Sequence, residues 1–223
     1  MSLMEVILTS PKETRRFPEQ FSVREMLLKG TALCAREWRT LLAIQLVVFI
    51  VLSISGMLVS GTFPGSFARF VAFALNASLQ MIIGLGLLSI YVKYVDGDTV
   101  EVLDVFEPIE LFWNYAGVII LYCILVGVGV LALVVPGIVV ACGLSLAQYL
   151  AIDKNMTPVT ALKASWKITE GHKGTIALFL ASLVVINGIG LMSIVGIIVT
   201  APISGLAYAS VYRYFFPKVQ VSE

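Results

Sequence analysis

The sequence predicts an all-α, polytopic membrane protein with six transmembrane helices in three hairpins, each preceded by a cytoplasmic amphipathic helix. Three observations predict this class. Hydrophobic residues make up 59% of the 223 residues and charged residues only 13%, against about 25% charged in a soluble domain. Long segments carry no charge, and Lys and Arg gather on one side of them. A soluble globule of this composition would expose large apolar patches and aggregate.

Four uncharged segments define the membrane spans. They cover residues 40–68, 70–92, 111–152 and 174–212. One helix needs about 20 residues to cross the hydrocarbon core, so the first two segments hold one span each and the longer two hold a hairpin each. The predicted spans are 41–60, 68–92, 115–134, 137–152, 174–190 and 193–213. Because the fourth is short for a crossing, a re-entrant hairpin over 115–152 stays open beside two full crossings.

We expect one membrane domain over residues 21–216. Residues 1–20, with two prolines and mixed charge, are expected to form a mobile cytoplasmic tail, and residues 217–223 a second cytoplasmic tail. A secretory signal peptide is not predicted, because the first apolar run begins some forty residues into the chain and lacks a small-residue cleavage site.

The distribution of basic residues predicts the orientation. With six spans, every Lys and Arg except Arg69 falls on one side of the membrane. Cytoplasmic loops carry the excess of Lys and Arg, so both termini are expected in the cytoplasm. The expected location is the cytoplasmic (inner) membrane of a bacterium or archaeon.

The segment before the first hairpin predicts an interfacial helix. Ser22 and Glu25 have the spacing of a capping box, in which each side chain satisfies a backbone N–H at the helix start. Apolar residues follow at helical spacing, and Arg24, Lys29 and Arg36 lie off their stripe. Such a helix lies in the interface plane, where its basic side chains are expected to contact anionic lipid headgroups.

The other two hairpins have similar connectors. Asp98 and Glu101 repeat the cap spacing before the second hairpin, and Thr157-Pro158 opens the third, since proline at the first helical position loses no hydrogen bond. Tryptophan prefers the headgroup level, and the three tryptophans of the chain all fall in connectors, as expected interfacial lipid contacts: Trp38, Trp113 and Trp166.

A motif in the second half of the chain resembles a known family. Val135-Pro136-Gly137 opens the fourth span, which ends at Asp153, and a connector beginning at Pro158 follows. Residues 135–173 resemble the YciC-like family of uncharacterised bacterial inner-membrane proteins, related to the membrane domain attached to some glycerophosphoryl diester phosphodiesterases. The resemblance implies a helical inner-membrane bundle near lipid and transfers no catalytic residue. It implies structural roles for Pro136, Gly137, Tyr149, Asp153, Pro158, Leu162 and Ser165.

We find no motif for catalysis or for a cofactor. The one histidine, His172, has no partner at metal-ligand spacing, and nucleophile-elbow, P-loop and dinucleotide motifs are absent. All Asp and Glu residues fall outside the predicted spans, which disfavours a proton relay. The three cysteines are odd in number and form no CxxC, so we expect small buried hydrophobes instead of a disulfide or zinc site. We expect no enzyme, no metal, no cofactor and no nucleic-acid partner.

Six carboxylates crowd the second connector: Asp96, Asp98, Glu101, Asp104, Glu107 and Glu110. A hard cation binds such oxygens, but the spacing does not fit an EF-hand, and a helix would spread these side chains around its circumference. The favoured interpretation is a solvated face or a docking surface for the basic connectors.

Four uncharged polar side chains lie within the spans: Asn76, Gln80, Gln148 and Asn187. Asn76 and Gln80 share a helix face at i, i+4 spacing. Amides in lipid need partners, so interhelical hydrogen bonds are one interpretation. A polar cavity for a lipid headgroup or a small solute is the other.

Three functional classes follow. The first is a non-enzymatic inner-membrane protein in lipid handling or envelope maintenance, favoured by the basic first connector and by the family resemblance. The second is a small-solute transporter or channel with a path along the four amides. The third is a scaffold or subunit that binds another membrane protein or a second copy of itself.

Overall fold

All regular structure in the described residues, 22–61 and 66–217 of the computed structural model, is helical. The predicted tail at 1–20, residues 218–223 of the predicted tail at 217–223, and residues 21 and 62–65 lie outside these ranges. In chain order the helices are α1 (Val23–Arg36), α2 (Trp38–Gly61), α3 (Ser66–Asp96), a 3-10 segment (Val102–Leu111), α4 (Phe112–Ala132), α5 (Val134–Leu144), α6 (Ala147–Asp153), α7 (Pro158–Ile168), α8 (Lys173–Leu191) and α9 (Ile194–Phe215).

Five segments of the described chain are long and apolar enough to cross a membrane: Trp38–Val59, Phe67–Asp96, Val102–Ala132, Val134–Asp153 and Lys173–Leu191. Their outer faces carry large apolar side chains, such as Phe70 at 68% exposure and Leu131 at 88%. A water-soluble protein does not sustain an apolar surface of this extent. The chain is therefore an integral, multi-pass membrane protein.

The last predicted span corresponds to α9, which is not among those five segments. This helix lies inside the bundle, packed against α1, α2, α3 and α8.

The predicted fourth span, 137–152, is divided into two helices, α5 and α6. Together the two helices cover Val134–Asp153, a segment of 20 residues. This length is enough for a crossing of about 30 Å. Buried residues make up 56% of the most apolar stretch of this segment, against at most 17% in each of the other four segments. Burial is concentrated in α6 and the end of α5, because Val134, Val135 and Ile138 at the start of α5 are exposed.

The connectors begin differently from the prediction at two places. Ser22 has the extended backbone of an N-cap, but its side chain makes no capping hydrogen bond, so the predicted capping box is absent. The second connector begins after Glu101 and not after Asp98, and the Asp104 carboxylate accepts the Glu101 N–H at 3.1 Å. The third begins as predicted, with Thr157 extended and proline first in the helix.

Two close backbone approaches fix the first two connectors on the bundle. A Cβ on Gly30 of α1 would lie 2.8 Å from the Ala207 Cβ of α9. A Cβ on Gly86 of α3 would overlap the backbone of Val105 in the 3-10 segment. The apolar stripe of α1, expected to enter lipid, therefore packs against protein.

Candidate functional site

Arg213, in the last turn of α9, joins the ends of three helices. Its Nε and Nη2 donate to the two carboxylate oxygens of Asp96 at 2.7 and 2.6 Å, where α3 ends. Its Nη1 and Nη2 donate to Asp153 at 3.0 and 2.7 Å, where α6 ends. Both contacts are two-point contacts, which are stronger and more directional than single hydrogen bonds.

Two further groups complete this cluster. The Tyr212 hydroxyl donates to Asp153 Oδ2 at 2.6 Å, and Lys154 Nζ lies 3.1 Å from the same oxygen. We call Arg213, Asp96, Asp153, Tyr212 and Lys154 the Arg213 cluster.

The cluster is electrically balanced and shielded from solvent. Two cations face two carboxylates, and the side chains of Arg213, Asp96 and Asp153 are 10%, 7% and 14% exposed. A cation at the carboxyl end of a helix also interacts favourably with the helix dipole. Removing one partner from such a buried pair leaves an uncompensated charge, so the cluster holds α3, α6 and α9 together.

The break between α5 and α6 is stabilised by side chains of other helices. Ser165 Oγ in α7 donates to the Gly143 carbonyl at 2.8 Å and accepts the Leu146 N–H at 3.2 Å. Thr169 Oγ1 donates to the same Gly143 carbonyl at 3.0 Å. The Tyr208 hydroxyl of α9 donates to the Ser145 carbonyl at 2.8 Å. A broken membrane helix persists where protein groups satisfy the freed backbone.

Aromatic rings connect this break with the Arg213 cluster. The Tyr149 ring lies 5.2 Å from the rings of both Tyr208 and Tyr212. Phe179 of α8 stacks on Tyr208 at 5.9 Å. Tyr149, Tyr212 and Phe179 are buried and Tyr208 is partly buried, so α6, α8 and α9 pack together through one aromatic core.

The residues of the family-like motif fall into this core and its surroundings. Asp153 belongs to the Arg213 cluster, Tyr149 is one of the packed aromatic rings, and Ser165 bonds the backbone at the α5–α6 break. Leu162 is buried, at 6% exposure. Pro136 and Gly137 lie in the first turns of α5, where Gly137 packs against the backbone of Gly129 in α4. Pro158 Cγ occupies the space beside Gly117 of α4.

The four predicted polar residues are not gathered around one cavity in the described chain. The Gln80 amide nitrogen donates to Asn76 Oδ1 at 2.6 Å, which agrees with the predicted shared face. Asn187 donates to Ser204 of α9 at 2.7 Å. Gln148 lies half-buried in α6.

The predicted interfacial side chains are exposed. Arg24, Lys29 and Arg36 lie on the outer face of α1, where Lys29 Nζ is 2.9 Å from Glu25. Trp38 and Trp113 are 51% and 81% exposed. Trp166 is 38% exposed and lies under Lys173, with Nζ 3.2 Å from the ring centroid.

The acidic connector pairs mainly with α3 and α9, which sequence reasoning did not anticipate. Lys93 of α3 pairs with Glu107 and, at 3.6 Å, with Asp104. Asp96 pairs with Arg213. Within residues 22–61 and 66–217, no group of three or more His, Cys, Asp and Glu side chains is placed to hold a metal ion.

The histidine and the three cysteines lie outside the Arg213 cluster. The His172 ring meets Phe215 edge-to-face at 5.6 Å. Cys34 and Cys142 are buried as expected, whereas Cys123 is exposed on α4. Burial raises the pKa of the Cys34 thiol above its ordinary value.

Grooves open on the sides of the bundle, and two of those in the described chain lie between a pair of helices. One, of about 410 Å³, lies between α1 and α8 and is bounded by Arg24, Leu27, Leu28 and Leu178 among others. The second, of about 500 Å³, lies between α2 and α3 and includes Asn76 in its wall.

Sequence reasoning missed the central member of the site. Arg213 was one of many basic residues on the predicted cytoplasmic side, with no feature of charge that set it apart. One signal was present: an arginine in the last turn of an otherwise uncharged helix, with tyrosines at 208 and 212 on neighbouring turns.

Fold and site together define a helical, multi-pass membrane protein with a charged cluster at the meeting point of three helix ends. Comparison of the chain with protein-family models, with curated proteins and with solved structures finds no match. The resemblance of residues 135–173 to the YciC-like family therefore stays a prediction.

Proposed function

We propose that this protein is a non-enzymatic, lipid-binding protein of the bacterial or archaeal cytoplasmic membrane that acts in lipid handling or envelope maintenance. The groove between α1 and α8 carries the proposal. Arg24 provides a cation at its edge, and Leu27, Leu28 and Leu178 provide apolar walls. A cation for the headgroup and an apolar wall for the chain are the two requirements of an anionic phospholipid.

The proposed topology has six crossings in three hairpins: α2 with α3, α4 with the α5–α6 pair, and α8 with α9. In support, the helices of each hairpin contact each other. Both termini are then cytoplasmic, and the Arg213 cluster lies at the cytoplasmic end. Arg69 alone of the basic residues lies at the other end, as the distribution of Lys and Arg favours.

The second connector supports contact with lipid at the cytoplasmic end of the bundle. Leu103, Phe106 and Trp113 are exposed at 74%, 52% and 81%, although the segment is held on α3 by Val105. Exposed apolar and aromatic side chains beside charged ones are typical of elements in the membrane interface.

The transporter or channel alternative has less support. Its proposed path needs four amides along one route: Asn76, Gln80, Gln148 and Asn187. The hydrogen bonds of the described residues do not connect them in this way, because Gln80 donates to Asn76 within α3 and Asn187 donates to Ser204 of α9. The carbonyls at the α5–α6 break, which in a transporter would hold an ion, accept hydrogen bonds from Ser165 and Tyr208. A scaffold or subunit remains the third class.

The test is lipid selectivity of the intact chain. The protein is exchanged into detergent containing equal amounts of phosphatidylglycerol and phosphatidylcholine, and the retained lipids are quantified. Each basic side chain near an anionic surface contributes about 1 kcal/mol. The triple variant Arg24→Glu, Lys29→Glu and Arg36→Glu is therefore expected to lose at least about tenfold in preference for phosphatidylglycerol.

A charge-preserving variant serves as the control. Arg24→Lys with Arg36→Lys keeps the charge of α1 and should retain the preference within about twofold. Equal retention of phosphatidylglycerol by the triple-Glu variant and the wild type would refute the proposal.

A further inference from the structure

The groove between α2 and α3 is a second candidate site, distant from the Arg213 cluster. Its wall runs from Leu58 near the end of α2 to residues at the start of α3, whereas the cluster includes the other end of α3. A volume of about 500 Å³ lies in the range of small-molecule sites, roughly 300–1,000 Å³. Val71, Leu75 and Leu79 make the wall apolar, and its residues include no charged side chain.

Asn76 is the one amide in this wall, and its hydrogen bonding is incomplete. The side chain is nine-tenths buried, at 9% exposure. Its Oδ1 accepts from Gln80 at 2.6 Å, but its Nδ2 has no hydrogen-bond partner. By contrast, the Asn187 Nδ2 donates to Ser204 of the next helix. A buried donor without a partner is costly and indicates a missing acceptor.

The depth of Asn76 restricts what that acceptor is. It lies ten residues from the first residue of α3, or about 15 Å along the helix, and two turns beyond Arg69. A phosphate headgroup does not descend to this depth because its charge needs water. The acceptor therefore belongs to an uncharged molecule dissolved in the bilayer.

We propose that the α2–α3 groove binds a lipid-soluble quinone, with a ring carbonyl accepting the free Asn76 N–H and the isoprenoid tail along Val71, Leu75 and Leu79. A quinone is uncharged, carries carbonyl acceptors and resides within the hydrocarbon core. It therefore fits the depth of Asn76, the uncharged wall of the groove and the single free N–H donor. The site is independent of the cytoplasmic lipid groove proposed above.

The test measures equilibrium binding of radiolabelled menaquinone with four isoprene units to the full chain in phospholipid nanodiscs, with empty nanodiscs as background. The key comparison is Asn76→Leu with Gln80→Leu against Gln80→Leu alone, because only the double variant removes the Asn76 donor. Loss of one neutral hydrogen bond is expected to raise the Kd about three- to tenfold.

A pair of tryptophan variants tests the groove itself. Ala72→Trp fills the groove, since Ala72 is part of its wall, and should weaken binding more than tenfold. Ala74→Trp places the same ring on the exposed face of α3 and should leave the Kd within twofold. Ala74→Trp and Gln80→Leu also report whether α3 tolerates substitution at this depth.

Three results would overturn the proposal. One is the absence of saturable menaquinone binding to the wild type. Another is an equal Kd for the double variant and Gln80→Leu. The third is binding of dioctanoylglycerol, with the same Asn76 dependence, at concentrations where menaquinone does not bind, which would assign the groove to a glycerolipid.

Discussion

Arg213 and Asp96 form a two-point ion pair across 117 residues of chain, with N–O distances of 2.7 and 2.6 Å. The pair fixes the last turn of α9 to the end of α3, and Asp153 extends it to α6. At 10% and 7% side-chain exposure, neither partner can exchange the other for water without local opening of the bundle. The ends of three helices are therefore coupled through one guanidinium group.

Removal of that guanidinium is expected to destabilise the fold. Arg213→Gln leaves two buried carboxylates without their main partner, at a cost of about 3–5 kcal/mol, and the thermal unfolding temperature in detergent should fall clearly. Arg213→Lys keeps the charge but cannot make both two-point contacts, so its unfolding temperature should lie between those of the wild type and Arg213→Gln. An unchanged unfolding temperature for Arg213→Gln would contradict this role.

The α5–α6 break should depend on Ser165. Ser165→Ala leaves the Leu146 N–H without its acceptor and removes one donor from the Gly143 carbonyl, at a cost of about 1–3 kcal/mol. Ser182→Ala is the matched control, because the exposed Ser182 hydroxyl bonds only the Leu178 carbonyl of its own helix. Unfolding in detergent followed by circular dichroism compares the two variants. Similar stabilities would show that the break needs no support from α7.

The docking of α1 on α9 should depend on Gly30. Gly30→Leu has no space beside Ala207 and is expected to displace α1, which exposes Cys34. Maleimide labelling of Cys34, on a background with Cys123→Ser and Cys142→Ala, should then become much faster than in the parent. In the parent, labelling is slow because the thiol is buried and its pKa is raised.

Gly56→Leu is the control for this experiment, since a Cβ at Gly56 meets no atom within 4 Å. It should leave the labelling rate of Cys34 unchanged. Equal rates in the Gly30→Leu variant and the parent would mean that α1 packs on α9 without close backbone approach.

The proposed topology predicts opposite labelling of two exposed positions. Met192, 89% exposed between α8 and α9, and Lys163, exposed on α7, are replaced singly by cysteine in a cysteine-free chain. A membrane-impermeant maleimide should label Met192→Cys in intact cells and Lys163→Cys only after permeabilisation. Labelling of both from the same side would contradict an odd number of crossings between them.

Local sequence information was sufficient to predict most helix positions. The predicted spans 41–60 and 174–190 correspond to Trp38–Gly61 and Lys173–Leu191, because the length of an apolar run is a local property. The second connector was misplaced for a non-local reason. The segment is held against α3 by the contact of Val105 with Gly86, 19 residues apart in the chain, which no local pattern encodes.

The candidate site was predictable only in part, for a similar reason. The motif around Asp153 and Ser165 drew attention to both residues, but their partners lie 60 and 22 residues away in the chain. An ion pair between helix ends depends on how the helices pack, and a charge count alone does not distinguish Arg213 from the other basic residues on its side. The groove beside Asn76 likewise exists only after α2 and α3 are packed.

The most direct test of lipid binding is native mass spectrometry of the protein extracted gently from its own membrane. We expect a stoichiometric anionic phospholipid that survives mild activation and is lost in the variant with Arg24, Lys29 and Arg36 all replaced by Glu. A wild-type chain without any retained lipid, or a phospholipid retained equally by that variant, would contradict it.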